Sequence, residues 1–314
     1  MQLKCTVAAV CAILIWGMTF ASTRVLLLDF SALEILVLRF AMSWLVLVGI
    51  GFFESTRKCH FSLRDELLFV GMGLTGVTAY QFLENCAIYY TNASNVAILV
   101  SFGPIVTAIM ARMFVNDRTL SVRLVVGSIV AVCGVAIVSL GGQEEFHLRP
   151  VGDLMALAAM ICWGFYSVMV GKANEKGYSP TAAIRRSFFW ALVMMIPFAV
   201  WGMTESGFYA LDGSFSVTLE PAMNAERFGR GLNWLNLGFL SVLASTACFV
   251  FWNYACKSLG VVRTTIGLYL TPIVGVLFAV LFLGEKLSAA SVVGGLAIIV
   301  GVVVANAELF RRRA

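Results

Sequence analysis

The chain is divided into ten uninterrupted apolar runs of about 20 residues, near 5–28, 32–53, 66–90, 94–115, 121–141, 152–171, 181–202, 234–257, 261–283 and 288–308. That length is decisive, because a helix rises about 1.5 Å per residue and the hydrocarbon core of a bilayer is roughly 30 Å thick. Polar turns such as "ESTRKCHFSLRD", "GGQEEFHLRP" and "NEKGYSP" separate the runs. The runs are continuous rather than alternating, which excludes a strand barrel. Only 12% of the 314 residues are charged, 60% are apolar, and the mean hydropathy is +0.91. Soluble domains carry roughly a quarter of their residues as charge, so this chain has no polar shell to cover them. The expected fold class is therefore all-α integral membrane, with ten transmembrane helices and the lipid bilayer as its solvent.

The net charge of +5 does not point to nucleic acid, since the cations lie in short turns rather than in a patch. They orient the chain instead. With the N-terminus inside, the inner turns and tails hold 14 Lys and Arg residues and the outer turns 5. Both termini are expected in the cytosol, in a plasma or inner cell membrane. The eight cysteines are scattered without a CxxC pair and read as small buried residues. His60 and His147 fall in loops with no metal-ligand spacing. No metal, no cofactor and no catalytic residue is expected. Trp16 and Gly17 sit in mid-run, and the later "ICWGFYS" resembles that segment, so residues 5–28 read as a retained helix rather than a cleaved signal.

The runs also repeat. Pro104 aligns with Pro272, Asp117-Arg118 with Glu285-Lys286, and Asn85 with Asn253, all at an offset of 168. Five of fifteen positions in 104–118 are identical at that offset. Trp16-Gly17 meets Trp163-Gly164, and Arg39 meets Arg186, at an offset of 147. Segment 203–232 absorbs the difference and has no counterpart in the first half. Residues 1–142 and 150–310 thus read as two five-helix repeats, with 203–232 an extended extracytosolic segment. Five is odd, so the second copy enters the membrane from the opposite side. Inverted repeats place a substrate site between the halves near mid-membrane.

The segments "IWGMTF" (15–20), "LRF" (38–40), "AIYYTNASNVAILVSFGPIVTAIMARMFVNDR" (87–118) and "PIVGVLFAVLFLGEKLS" (272–288) resemble the EamA-type branch of the drug/metabolite transporter superfamily. The resemblance covers nearly the whole chain as two tandem units. It implies ten helices, export or exchange of small metabolites, amino acids or drugs, and alternating access around a central cavity.

Charge inside a bilayer is costly and marks a pathway or a partner. Tyr80, Gln81, Glu84, Asn85 and Ile88 share one helical stripe. Glu84 is the one acid well inside an apolar run; its aligned position holds Trp252, while Asn253 matches Asn85. By helical rise, Arg39 and Glu84 lie roughly 10 Å and about 9 Å below the same face. They read either as a coupling pair, with Glu84 alternating between Arg39 and a proton or a substrate cation, or as helix-packing glue. Trp16 and Trp163 are cavity aromatics or plain packing. Pro104 and Pro272 free backbone carbonyls or kink their helices. Ser101, Tyr269 and Thr271 precede those prolines and can hydrogen-bond a substrate. Gly127 with Ala131, and Ala297 with Gly301 and Ala305, give helices five and ten small-residue faces suited to close packing or a homodimer. The expected partner is a small-molecule substrate. A membrane-embedded enzyme is the rival class, but no Ser-His-Asp, HExxH or clustered acid motif is present; a channel or scaffold is the other. The chain has no GxxxxGK[ST] loop for ATP.

Overall fold

A run of Leu, Val, Ile and Phe in hydrocarbon must satisfy its amides from within, and the α-helix does so. The computed structural model describes residues 2–26, 28–30, 32–54, 62–91, 93–115, 119–140, 149–202, 208–209, 216–217, 226–283 and 288–307. The first half begins with α1 (Gln2–Leu26) and α2 (Ala32–Phe53). Next, α3 (Leu63–Gly73) continues through a π-helical segment (Leu74–Ala79) into α4 (Tyr80–Tyr90). Then come α5 (Ala93–Val100), α6 (Gly103–Phe114) and α7 (Val122–Leu140).

The second half begins with α8 (Pro150–Glu175) and α9 (Pro180–Gly202), followed by the short α10 (Glu226–Gly229). From there α11 (Gly231–Gly238) continues through a π segment (Phe239–Ala247) into α12 (Cys248–Leu259). A 3₁₀ turn (Gly267–Leu270) joins α13 (Val261–Ile266) to α14 (Thr271–Leu283), and α15 (Ala289–Ala305) closes the chain. Phe208–Tyr209 pairs antiparallel with Ser216–Val217, the only strand pairing among the described residues. The Asp117-Arg118 and Glu285-Lys286 turns, both histidines and most of 203–232 lie outside the described residues.

Seven helical stretches are long and apolar enough to cross a bilayer, and Leu3–Thr19 and Ala289–Ala305 are shorter apolar helices. Large apolar side chains such as Phe52, Val122 and Leu296 point outward, as lipid contact requires. This is a multi-pass membrane protein. Its seven described cysteines are free.

The helices are interrupted at matched places. Leu74–Ala79 falls, at the offset of 168, on the last six residues of the second π segment. The Ser101–Phe102 turn before α6 falls on the end of the 3₁₀ turn before α14. Pro104 and Pro272 therefore sit in the first turn of a restarted helix, where a missing N–H costs nothing.

The halves interleave. Helix α1 packs on α12 and α14, whereas α8 packs on α4 and α6. Gly17 makes the first approach close: a Cβ there would lie 2.6 Å from a Val274 methyl. Gly164 repeats this against Val106, at 3.1 Å, one repeat away. The tightest seam joins α7 to α15. A Cβ on Gly127 would fall 2.5 Å from the Gly301 carbonyl oxygen, and one on Gly134 2.6 Å from that of Gly294. The small-residue faces that the sequence suits to close packing or a homodimer pack on each other within one chain, and the two backbones touch there.

Backbone contact leaves no flexible atom to yield. Gly134→Ala and Gly294→Ala should each destabilise the protein by about 1–3 kcal/mol through overpacking. Gly49→Ala meets nothing within 4 Å and should be neutral or stabilising. Thermal unfolding in detergent checks this; equal melting temperatures for all three would refute the seam.

Candidate functional site

Where the halves meet, aromatic rings fill the centre. The repeat-related Trp16 and Trp163 meet edge to face, with centroids 6.4 Å apart. Trp252 lies 5.2 Å from Trp16 and 6.2 Å from Trp163. Phe249 stands 5.8 Å from Trp16, while Tyr80 and Tyr166 are each 5.2 Å from Trp163. Offset and edge-on rings attract beyond the area they bury. Both π segments border this cluster. A Cβ on Gly76 in the first would overlap the Tyr166 ring, and the Ala244 carbonyl in the second accepts from Trp16 Nε1 at 3.0 Å. Trp163 Nε1 is buried and has no hydrogen-bond partner among the described residues. An orphaned buried donor costs about 1–3 kcal/mol, so this one is an open contact for an acceptor.

Polar groups ring the aromatics. The Tyr80 hydroxyl donates to Glu84 Oε1 at 2.9 Å, one turn along α4. Asn253 donates its amide to the Tyr166 hydroxyl at 3.1 Å and to the Phe249 carbonyl at 3.0 Å. Arg39, buried on α2, donates Nε to Ser245 Oγ at 2.5 Å and lies 5.3 Å from the Phe40 ring centre. The direct Arg39–Glu84 ion pair offered by their equal depth is not formed. Each has a different hydrogen-bond partner, and the two charges interact only at longer range. Helical rise predicts depth, whereas rotation about the axis turns Arg39 toward the second π segment.

Trp16, Trp163, Tyr80 and Glu84 come together, and Asn253 joins them through Tyr166. The Asn85 side chain lies outside the described residues. Ser101 turns back on its own helix, donating to the Ile98 carbonyl at 2.5 Å. Tyr269 is buried in a separate apolar cluster with Ile98, Val132, Ile266 and Ile298, away from the tryptophans. The Thr271 carbonyl faces Gly17, so the start of α14 runs beside the Trp16 turn. Trp252, Phe249, Tyr166 and Ser245 complete the centre. Of these only Trp252 carried a signal in the sequence, as the residue standing where Glu84 stands in the other half.

The sequence model of the EamA-like transporter family matches residues 3–140 and again 150–307. A probable amino-acid metabolite efflux pump of Escherichia coli is 26% identical, over 96% of this chain and 94% of its own length. A probable terminal-alkyne amino-acid exporter of Streptantibioticus cattleyicolor is 27% identical, over 80% of this chain and 76% of its own. An uncharacterized transporter of Archaeoglobus fulgidus is 27% identical over 94% of both. A solved crystal structure superposes with a TM-score of 0.75 over the whole of both chains at 18% identity, which speaks to the fold.

The geometry separates framework from chemistry. Trp252 is 1% exposed, so Trp252→Ala should cost about 3–5 kcal/mol and most of the folded yield. Glu84→Gln keeps an oxygen for the Tyr80 hydroxyl and should fold normally. Fluorescence-detected size exclusion of both variants measures this; loss of the Glu84→Gln peak would make that acid part of the framework.

Proposed function

The chain belongs to the EamA-like transporter family, and we propose that it is a secondary carrier exporting or exchanging small metabolites by alternating access. Residues 1–142 and 150–310 form its two five-helix repeats, inverted so that ten spans leave both termini in the cytosol of a cell membrane. Segment 203–232 then faces outside. The observation that carries this reading is the pairing of interruptions. Each half has a π segment and a helix break at the same repeat position, and both sets border the Trp16–Trp163 contact. Irregular backbone at membrane depth is tolerated where it is covered by protein or lines a cavity, and carriers place their sites there.

The centre suits a substrate with an apolar body. Rings from Trp16, Trp163, Trp252 and Tyr80 supply its walls, and Trp163 Nε1 donates to a substrate oxygen. Glu84 meets a cationic group or a proton, with Arg39 at longer range holding the balance of charge. Asn253, through Tyr166, and Thr271, beside Gly17, support this pathway, and Pro104 and Pro272 restart the helices beside it. Amino acids are the first substrates to test, because two relatives are named for amino-acid export or efflux.

Proteoliposomes should show counterflow of a labelled amino acid without ATP. Glu84→Gln should abolish its pH dependence while leaving the protein in the membrane, and Pro272→Ala should reduce flux more than abundance. Product formation in place of counterflow would favour an enzyme. Normal transport by Glu84→Gln at every pH would end its coupling role.

A further inference from the structure

The ends of the molecule carry a second repeat relation, this one between polar groups. At one end the turn after α1 is tied to the start of α11. Asp29 accepts from Asn233 at 2.8 Å and from Arg230 at 2.7 and 2.9 Å. Beside it, Arg227 grips both oxygens of Glu34 at 2.9 and 3.2 Å and lies 4.8 Å over the Phe30 ring. At the other end the turn after α8 is tied to the start of α3. Lys176 pairs with Asp65, which also accepts from the Tyr178 hydroxyl at 2.7 Å. Arg186 pairs with Glu66 and lies 4.5 Å over the Phe69 ring, and Trp190 Nε1 donates to Glu66 at 2.8 Å.

The offsets make these two ties one motif. Position 29 becomes 176 at the offset of 147, and position 65 becomes 233 at the offset of 168. The Asp29–Asn233 contact is therefore repeated as Lys176–Asp65, with the acid on the opposite partner. The two ties sit at opposite ends of α2. Glu34 lies in its first turn, and Glu54, just past its end, pairs at 3.8 Å with Arg185, the neighbour of Arg186. Between Glu34 and Glu54 a helix rises about 30 Å.

We propose that these are the two latches of the transport cycle, each clamping the first-to-second helix turn of one half onto the third span of the other, and each released only when its own side opens. The proposal rests on the carrier reading. Each latch joins elements of opposite halves, so rocking one half against the other must pull one latch apart while the other stays closed. In this structure both are engaged. The hydrogen bond from Asn233, followed by the charges of Arg230 and Arg227, holds the Asp29 carboxyl below its ordinary 3.8 against the opposing effect of burial. That latch is therefore charged at neutral pH and weakens only as acid protonates it.

The test uses the full-length protein in detergent and the rate of maleimide labelling at two repeat-related reporters, each read above the reporter-free protein. Ser22→Cys lies under the first latch, where Ser22 bonds Asn236 at 2.6 Å. Met169→Cys lies under the second, packed on Gly71. Arg227→Gln with Arg230→Gln should raise labelling at position 22 by about threefold or more and lower it at 169, since a ligand-free equilibrium shifts as one state is relieved. Lys176→Gln with Arg186→Gln should do the reverse. The exchange Arg227→Glu with Glu34→Arg should return both rates to those of the native protein.

Increased labelling at the near reporter alone would make the ties local staples and overturn the proposal. Failure of the charge exchange to restore the rates would do the same. Counterflow of labelled amino acids by the same variants separates the two readings. Reciprocal labelling without flux sinks the carrier and spares the latches; flux with unlinked reporters sinks only the latches.

Discussion

In hydrocarbon a backbone amide has no solvent to bond, so a helix can be broken only where something else takes the released groups. That obligation governs the structure. The widened turn at Leu74–Ala79 follows a Thr75 hydroxyl that donates to the Gly71 carbonyl at 2.7 Å. In the second half Thr246 donates to the Ser241 carbonyl at 3.0 Å and shares a 2.7 Å hydroxyl contact with Ser43. Ser101 closes the carbonyl of Ile98 before the break at Pro104, and Trp16 takes that of Ala244. The bonds of Thr75 and Ser101 stay within their own helix, and those of Trp16 and Ser43 cross to the second π segment from another helix. The breaks are thus satisfied partly by hydroxyls of their own segment and partly by side chains from neighbouring helices.

Much of the frame was legible in the sequence. Run lengths predict spans, and the Trp-Gly, Arg and Pro pairs at two constant offsets predict that the halves fold alike. The π segments were not legible, because an extra residue in one turn leaves no mark on an apolar run whose faces are all similar. Nor was the partner of Arg39. Rise per residue sets its depth, but its direction depends on how α2 is turned against the second π segment. The end ties were hidden for a different reason. Asp29 aligns with Lys176 and Asp65 with Asn233, so a search for identical residues passes over a contact that is preserved while its charge changes sides.

The repeat supplies a related scaffold in both halves, and its exceptions gather at the centre. Glu84 stands opposite Trp252, Tyr80 opposite Cys248, and the indole of Trp16 is satisfied where that of Trp163 is not. Related packing recurs in the two halves, as the Gly17–Val274 and Gly164–Val106 approaches illustrate. The unmatched groups give the centre a polarity that symmetry alone would forbid.

The two related arginines show how far that division goes. Arg186 lies near one end, partly exposed and paired with Glu66, where solvent and an acid both compensate it. Arg39 is set deep on α2, and its compensation comes from a hydroxyl, a ring face and the distant carboxylate of Glu84. A buried cation held without a touching acid depends on hydrogen bonds and ring contacts to offset its desolvation. The same residue type at the same repeat position is thus paired with an acid in one half and with a hydroxyl in the other. What distinguishes them is the Glu66 carboxylate, whose counterpart in the second half is Trp234.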